Sequence, residues 1–382
     1  YTLLQNIDLT RGIWMIYLAD KGMSLTQLGL LETVFHITSF LMEVPTGAIS
    51  DIFGRKASRI IGRVMSLFSV VILLAADDFL WFAVSFVFTA LSYNLESGAG
   101  DALIYDSLKE IGEEDQYMRI SGNKEVFYQA AGIVSFLAGG YMATRSYGTA
   151  FVITIAVGAA TLLQSFSFKE PSLGRKPEAG IRGNVFVKQL KDSIGVVKGN
   201  PRIVSLIVFT EIILTFCTCI FYYLQNFMKA GGYNEAVIGA VYAATYVASA
   251  LVAPQVYRIE KVIKEQGILL FIPFVTVASL WGIALSAYHF IFFIVLMLTE
   301  EVVYVAMSDY INRIIPSENR ATILSFSSMV FSFFMITVFP VVGMLGDAYS
   351  LGFAIKCLGG LGIVFVLINS AVLIVTAGKS RT

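Results

Sequence analysis

Long apolar runs recur along the whole chain and are separated by short polar breaks. A helix needs about 20 residues to cross the ~30 Å hydrocarbon core of a bilayer, so each run predicts one transmembrane helix. The breaks carry the glycines, prolines and charges that end helices, as in DKGMS, KEIGEEDQ, KAGGYN and GDAYS. The pattern predicts an all-α integral membrane protein with twelve spans, at about 1–19, 25–48, 57–76, 79–107, 120–143, 147–167, 202–228, 235–257, 265–286, 288–312, 320–345 and 350–377.

Composition agrees with this pattern. Apolar residues make up 57% of the 382 residues and charged residues 14%, which is more apolar surface than a soluble chain of this length needs. The first apolar segment contains Asp8 and Arg11, so we predict no cleavable signal peptide there. The three cysteines, Cys217, Cys219 and Cys357, lie in apolar runs, and we expect neither a disulfide nor a metal site.

The basic residues are distributed unevenly between the two predicted sides of the membrane. An even number of spans places both termini on one side. Of the 27 lysines and arginines, only three lie in loops of the opposite side, Lys21, Arg145 and Lys229, and Lys356 lies just inside a span. Because loops rich in Lys and Arg stay in the cytoplasm, both termini are predicted to be cytoplasmic.

One long polar segment follows the sixth span. It contains Pro171 and Pro177, and its later part, FVKQLKDSIGVVKG, predicts an amphipathic helix on the membrane surface. The segment divides the chain into a six-helix half at 1–168, a cytoplasmic linker at 169–201 and a second six-helix half at 202–382. A faint repeat supports parallel halves, because YDSLKEIGEEDQYMRIS after span four resembles DYINRIIPSENRATILS after span ten.

The stretch EVPTGAISDIFGRK connects spans two and three. Only about ten residues separate these apolar runs, so the two spans are neighbouring antiparallel helices. Gly47 and Gly54 permit a tight reversal and close helix approach, and Asp51 can pair with Arg55 at i,i+4. Lys56 adds to the basic character of the hinge.

The letters GAISDIFGRK closely resemble the loop between helices 2 and 3 of major facilitator superfamily transporters, whose pattern is G-x-x-x-D-x-x-G-R-[RK]. The preceding EVPTG resembles the drug and metabolite exporters of that superfamily. The resemblance implies the two-half major facilitator fold. It also implies that Asp51 and Arg55 belong to a charge relay that locks the cytoplasmic ends of the halves in the outward-facing state. The predicted gating residues are Gly47, Asp51, Gly54, Arg55, Lys56, Asp101 and Asp106, with Asp101 and Asp106 expected beside Arg55 or Arg59.

Two departures from the exporter pattern leave the antiporter prediction open. Exporters usually carry an Arg in helix 4 four residues before a Gly, where this chain has Asn94. Their helix-5 pattern ends G-P-x-x-G-G, and this chain keeps Gly139 and Gly140 but has Ser135 and Phe136 in place of Gly-Pro.

Polar residues near the middle of the spans are the candidate binding residues, because an ionisable group there costs roughly 2.5–3.5 kcal/mol and needs a reason. Apart from His36 on span 2, they fall on spans 1, 4, 7 and 10, which by resemblance line the central cavity. We predict that substrate or proton is bound by Asp8, Arg11, Asn94, Glu96, Glu211, Glu300, Glu301 and Tyr304.

Each of these residues also has a structural interpretation. Asp8 and Arg11 can form a salt bridge at i,i+3, and the carboxylates can accept hydrogen bonds from neighbouring helices. Glu32 and His36, at i,i+4 on span 2, form either a proton-sensing pair or a packing pair. Tyr304 and the other tyrosines of the spans serve either as a surface on which an organic ligand stacks or as anchors at the membrane interface.

The carboxylate surplus favours cations, protons or zwitterions over anions. We predict a proton-coupled secondary transporter in the cell inner membrane that exports an amphipathic or cationic small organic compound. A proton-coupled importer of a small metabolite, a transporter of a lipid-like substrate and a non-transporting sensor are the alternatives. The expected partners are a small-molecule substrate, protons and the bilayer, without nucleic acid or cofactor, and the chain is expected to be a monomer.

An enzyme is not expected. The letters GAGD at 98–101 and YD at 105–106 match elements of intramembrane aspartyl proteases. They lie on one predicted helix in the wrong order, although those proteases need their two aspartates on different helices. The chain also lacks a P-loop, so transport driven by ATP is not indicated.

Overall fold

The computed structural model describes residues 1–172, 200–315 and 320–379. This part of the chain is mostly helical and contains no strand. The predicted amphipathic helix of the linker lies outside the described residues. The α-helices are α1 Thr2–Asn6, α2 Trp14–Asp20, α3 Leu25–Phe53, α4 Arg55–Ala75, α5 Phe79–Glu110, α6 Tyr117–Ala143, α7 Tyr147–Ser165, α8 Pro201–Ala230, α9 Glu235–Val252, α10 Val256–Leu285, α11 His289–Ile314, α12 Arg320–Ala348 and α13 Leu351–Lys379.

Ten stretches of the described residues are long and apolar enough to cross a membrane. One of them, Glu235–Leu285, contains two predicted spans, α9 and α10, which meet at a short 3-10 turn. Spans two to twelve of the sequence prediction are therefore present as long helices. The predicted all-α membrane fold is confirmed, and the chain is a multi-pass membrane protein.

The first span differs from its prediction. The single helix expected at about 1–19 is two short helices, α1 and α2, joined by a non-helical stretch. In this break the Asp8 amide donates to Ser135 Oγ, and the Leu9 amide donates to Thr154 Oγ1, each at 3.0 Å. Because these hydroxyls replace helical partners for the buried amides, the break is satisfied by α6 and α7.

The break packs directly against Gly139 of α6. A β-carbon at residue 139 would collide with the backbone carbonyl of Leu9, which cannot rotate away as a side chain could. We expect Gly139→Ala to lower stability by about 1–3 kcal/mol, the usual cost of overpacking. The readout is the melting temperature of the purified protein in detergent.

Gly98→Ala is the matched control for this prediction. Gly98 also lies inside a helix, α5, but nothing lies within 4 Å of the place where its β-carbon would be. The alanine should leave stability unchanged or raise it slightly, because alanine favours helix. Equal melting temperatures for both variants would contradict a close approach at Gly139.

The described residues form two compact units. The first contains residues 1–23, 30–172 and 233–243, and the second contains 24–29, 200–232, 244–315 and 320–379. Each unit therefore holds most of one predicted half together with the beginning of one helix from the other half. The domain boundaries at 168 and 202 stay a prediction.

In the second unit, the beginning of α3 is attached to α12. The Asp347 carboxylate accepts from the amides of Leu25 and Thr26 at 2.9 and 2.8 Å and from the Thr26 hydroxyl at 2.6 Å. An acidic group at a helix N-terminus satisfies free amides and interacts favourably with the helix dipole. The Tyr223 hydroxyl also lies within hydrogen-bond distance of the Leu25 carbonyl, at 3.1 Å.

In the first unit, the beginning of α9 is attached to α6 and α7. The Tyr147 hydroxyl donates to Glu235 Oε1 at 2.6 Å. Gly140 and Gly239 face each other, and a β-carbon on either would collide with the backbone of the opposite helix. These glycines let the two helices approach closely, in the way that small residues do at membrane helix contacts.

Candidate functional site

The predicted hinge lies at the junction of α3 and α4. Gly54 has φ +98°, a conformation that favours glycine, and it separates the two helices. Arg55 Nη1 is 3.0 Å from Asp51 Oδ1, and Arg55 Nε is 3.8 Å from Asp106 Oδ2. The guanidinium therefore lies between the end of α3 and the last turns of α5.

The first residues after α7 fasten onto this hinge. The two Glu170 carboxylate oxygens accept from the amides of Arg55 and Lys56 at 2.7 Å each, at the N-terminus of α4. Lys56 Nζ donates to the Phe166 carbonyl at 2.8 Å. Sequence reasoning missed Glu170, because nothing in its local pattern indicates a contact with a hinge more than 100 residues earlier.

Glu170→Ala should destabilise the hinge. The substitution removes the acceptors for two amides and the negative charge from the N-terminus of α4. Losing such a helix cap lowers the free energy of unfolding by about 1 kcal/mol. We expect a lower melting temperature, a smaller decrease for Glu170→Gln, and no change for Asp115→Ala, which alters an exposed acidic residue of the short turn after α5. A Glu170→Ala protein as stable as the unaltered chain would show that this contact contributes nothing.

The other predicted gating residues have different surroundings. Asp101 was expected beside Arg55 or Arg59, but it forms an ion pair with Lys124 of α6. Gly47 has nothing within 4 Å of the place where a β-carbon would lie, so no close contact within the structure requires a glycine there.

Glu96 is the most heavily paired of the predicted binding residues. Both of its oxygens are bound by Arg63 of α4, through Nε to Oε1 and through Nη2 to Oε2, the latter at 2.6 Å. Gln5 Nε2 of α1 donates to Oε2 at 2.6 Å, and Glu96 is only 7% exposed. This pairing neutralises Glu96, which reduces the expected surplus of cavity carboxylates by one.

Arg59 is buried beside this pair. It is 6% exposed, and its Nη2 donates to Gln5 Oε1 at 2.8 Å. Its guanidinium lies over the rings of Tyr1 and Phe168, at 4.5 and 5.4 Å from their centroids, so cation–π contacts stabilise it. Because α4 begins at Arg55, Arg59 and Arg63 lie about 6 and 12 Å along the helix from that residue.

Asp8 and Arg11 do not form the predicted salt bridge within the described residues. Asp8 Oδ1 accepts from the amide and the hydroxyl of Thr10, at 2.9 and 2.6 Å. Arg11 Nη2 donates to the Tyr128 hydroxyl of α6 at 2.9 Å. The i,i+3 argument required a continuous helix, and the break between α1 and α2 removes that premise.

Asn94, the residue at the exporters' Arg position, is held against α3. Its Oδ1 accepts from Ser39 Oγ and its Nδ2 donates to the Ser39 carbonyl, each at 2.7 Å. Both ends of the amide are therefore occupied by one residue. In α3 itself, Glu32 and His36 are both buried, with 4.0 Å between Glu32 Oε2 and His36 Nε2.

The second unit carries the remaining candidates. Glu211 of α8 is 5% exposed, and its Oε1 accepts from Ser327 Oγ of α12 at 2.5 Å. Within the part of the chain that the structure describes, Glu211 forms no ion pair. Glu300 and Glu301 are half-buried on α11, and Tyr304, one turn later, is exposed.

Neither unit presents an arrangement typical of a bound metal. A search of the described residues finds no group of three or more His, Cys, Asp or Glu side chains that could hold an ion. The polar candidates form separate small sets on different helices.

Comparisons with known proteins agree on one family. Residues 9–333 match the family model described as Major Facilitator Superfamily. A Bacillus subtilis (strain 168) protein described as "Uncharacterized MFS-type transporter YxaM" is 21% identical over 362 residues, which cover 89% of this chain and 85% of that protein.

Solved structures show the same fold. The crystal structure of nucleoside transporter NupG superposes with a TM-score of 0.78 at 11% identity and covers 97% of this chain and 98% of that one. The crystal structure of the D-xylose-proton symporter superposes with a TM-score of 0.71 at 15% identity and covers 96% and 94%. At these identities the likeness shows the fold, and it agrees with the predicted major facilitator architecture.

Proposed function

Because the chain belongs to the Major Facilitator Superfamily, a superfamily of secondary transporters that work by alternating access, we propose that it exports an amphipathic or cationic small organic compound in exchange for protons. The exporter part of the proposal rests on the resemblance of EVPTG and the following hinge to drug and metabolite exporters. The proposed location is the cell inner membrane, with both termini in the cytoplasm.

The observation that carries proton coupling is the environment of Glu211. This carboxylate is buried and hydrogen-bonded by one hydroxyl, and it has no cationic partner within the described residues. A charged carboxylate in such a place is costly unless a proton or a cation joins it. Competition between a proton and a cationic substrate for one carboxylate is the simplest chemistry for exchange.

The remaining candidates have supporting roles in this proposal. Glu300, Glu301 and Tyr304 add acidic and aromatic groups to the second unit. Asp8, Arg11 and Asn94 contribute polar atoms to the first unit, and Glu96 with Arg63 holds that unit together. The hinge cluster of Asp51, Gly54, Arg55, Lys56 and Asp106 takes part in gating, and Gly47 and Asp101 belong to the same region.

Inverted membrane vesicles test the proposal directly. They are energised to an acidic lumen, and a pH dye reports proton efflux when compounds from a panel of lipophilic cations and zwitterions are added. We expect at least one compound to dissipate the gradient in vesicles that contain the protein and not in vesicles without it. If no compound does so while the folded protein is present, the exporter proposal fails.

Proton-coupled import is the second candidate. The observation that favours it is the shared fold with a nucleoside transporter and a D-xylose-proton symporter. Import predicts substrate accumulation in intact cells, whereas export predicts accumulation only in inverted vesicles. Measuring one radiolabelled compound in both preparations therefore separates the two directions.

A further inference from the structure

The second unit contains an apolar groove between α8, α12 and α13. Its volume is about 400 Å³, within the range of about 300–1,000 Å³ that is typical of small-ligand pockets. On α8 it is lined by Val208, Ile212 and Thr215, which follow one helical face. The Thr215 hydroxyl donates to the Glu211 carbonyl of its own helix at 2.6 Å, so it needs no partner in the groove.

Beside the groove, α13 packs closely against α10. A β-carbon on Gly359 would lie 2.8 Å from Trp281 Nε1, and one on Gly362 would lie 2.7 Å from Val277 Cγ2, so these glycines bring α13 close to α10. On its other side, α13 meets α8 through Phe365, whose ring is 5.8 Å from that of Phe209. Small residues on one side of α13 and a large ring on the other leave the space open.

The opening of the groove faces the surface of the helix bundle. Leu361 and Ile368 of α13 line the groove and are still 57% and 59% exposed. The lining of α8 extends from Ser205 to Phe216, about 16 Å along the helix. At about 1.3 Å per carbon along an extended chain of single bonds, this length accommodates roughly twelve carbons.

The two ends of the groove differ in chemistry. Ser205 and Asn369 lie at the end where α8 begins, which the charge distribution places on the cytoplasmic side, and Phe216 lies at the far end. Glu211 follows in α8 between the groove residues Val208 and Ile212, and its side chain binds Ser327 of α12. A polar end and an apolar channel match the head and the chain of an amphiphile. Glu211 is outside the groove lining, and the proposed exchange at that carboxylate supplies the preference for a cation.

We propose that this groove binds the alkyl chain of a single-chain cationic amphiphile that enters from the cytoplasmic leaflet, and so selects long-chain substrates. The inference rests on the proposed export function and names the substrate class. Transfer of an alkyl chain from the bilayer into the groove gains little hydrophobic free energy, because lipid tails are equally apolar. Selection then comes from packing, which limits the chain length that fits.

Tryptophan quenching in proteoliposomes tests the binding. The probe is dodecyltrimethylammonium brominated near the end of its chain. The reporters are Phe365→Trp inside the groove and Leu367→Trp, two residues away on the lipid-facing side of the same helix and 65% exposed. The signal of the unaltered chain, with its three native tryptophans, is subtracted.

We expect saturable quenching of Phe365→Trp that excess unbrominated dodecyltrimethylammonium reverses. Leu367→Trp should be quenched in proportion to the amphiphile in the bilayer. If both reporters respond in parallel and without competition, only ordinary surrounding lipid occupies the groove, and the inference is overturned.

A transport arm keeps this inference separate from the proposed function. Ile212→Trp fills the groove and should lower the rate of proton-coupled dodecyltrimethylammonium transport about tenfold. The rate of tetramethylammonium transport should change less than twofold, because that cation has no long chain. Leu367→Trp should leave both unchanged. Proton-coupled transport without saturable quenching supports the function and refutes the groove. Saturable quenching without proton movement supports the groove and refutes proton-coupled export.

Discussion

Glu211→Gln is expected to reduce proton-coupled transport to the level of vesicles without the protein. The substitution keeps the size of the side chain and an oxygen that can accept from Ser327, but it removes the group that takes up a proton. The measurement is the compound-induced loss of the pH gradient in inverted vesicles. If a proton and a cationic substrate compete for this carboxylate, this one substitution is enough to separate substrate transport from proton movement.

A counterflow assay shows whether Glu211→Gln has lost coupling or has simply misfolded. Exchange of labelled for unlabelled substrate across a membrane without a pH gradient needs no net proton movement. We expect the Gln variant to retain exchange when the substrate is zwitterionic or neutral at the working pH. Loss of both exchange and proton movement, together with a lowered melting temperature, would indicate a structural role instead.

Ser327→Ala is the matched control for the hydrogen bond. It leaves the Glu211 carboxylate in place and removes its one hydroxyl donor, a change of about 1 kcal/mol. Transport should fall by less than tenfold and remain coupled to protons. If Glu211→Gln instead transports protons as the unaltered chain does, Glu211 is not the carrier, and Glu300 and Glu301 become the residues to test.

The membrane spans were predictable because their signal is local. An apolar run of about 20 residues predicts a span whatever it packs against, and the helices from α3 onwards follow those runs. The hinge was predictable for the same reason, since Gly54 and the Asp51–Arg55 spacing are contained in a few residues. The structure extends α3 to Phe53, past the predicted end near residue 48, although Pro45 lies within it.

The features that sequence reasoning missed depend on residues that are distant in the chain. The break after α1 is stabilised by Ser135 and Thr154, which lie 127 and 145 residues later in the chain than their partners. The same is true of Glu170 at the hinge, whose partners lie 114 and 115 residues earlier. In each case the partner that satisfies the backbone amides lies more than 100 residues away in the chain.

Arg63 shows a different kind of failure. The uneven distribution of the basic residues predicts that this part of the chain lies on the cytoplasmic side. That rule does not tell which way a side chain points. In the structure Arg63 lies two turns into α4 and binds Glu96, so it is one side of a buried ion pair. Pairing with a remote carboxylate decides its role, and sequence spacing cannot reveal such a partner.

Breaking the Glu96–Arg63 pair should cause the largest loss of stability of any single substitution considered. Removing one partner leaves the other charge buried without compensation, which costs about 3–5 kcal/mol. We expect Arg63→Met and Glu96→Leu each to lower the melting temperature strongly and to reduce the amount of folded protein in the membrane. Arg63→Met should be at least as damaging, because its partner Glu96 is only 7% exposed and would keep a single amide donor, Gln5.

The double variant Arg63→Met with Glu96→Leu separates an ion-pair effect from a packing effect. Replacing both partners with apolar residues of similar size leaves no isolated charge from the pair, so stability should recover most of the loss. A β-carbon on Gly62 would lie 2.7 Å from Glu96 Cγ, so the glycine leaves room for the side chain of residue 96. A leucine at residue 96 can use the same room. Strictly additive losses would show that the two side chains act independently.

Asp101→Asn provides the comparison with an exposed ion pair. Asp101 and Lys124 connect α5 to α6, as Glu96 and Arg63 connect α5 to α4, but the side chains of Asp101 and Lys124 are 52% and 36% exposed. Water screens that interaction, so the variant should lose less than about 1 kcal/mol. If Asp101→Asn were as damaging as Glu96→Leu, burial would not be the cause. The role of Glu96 as the charge that holds α4 and α5 together would then have to be abandoned.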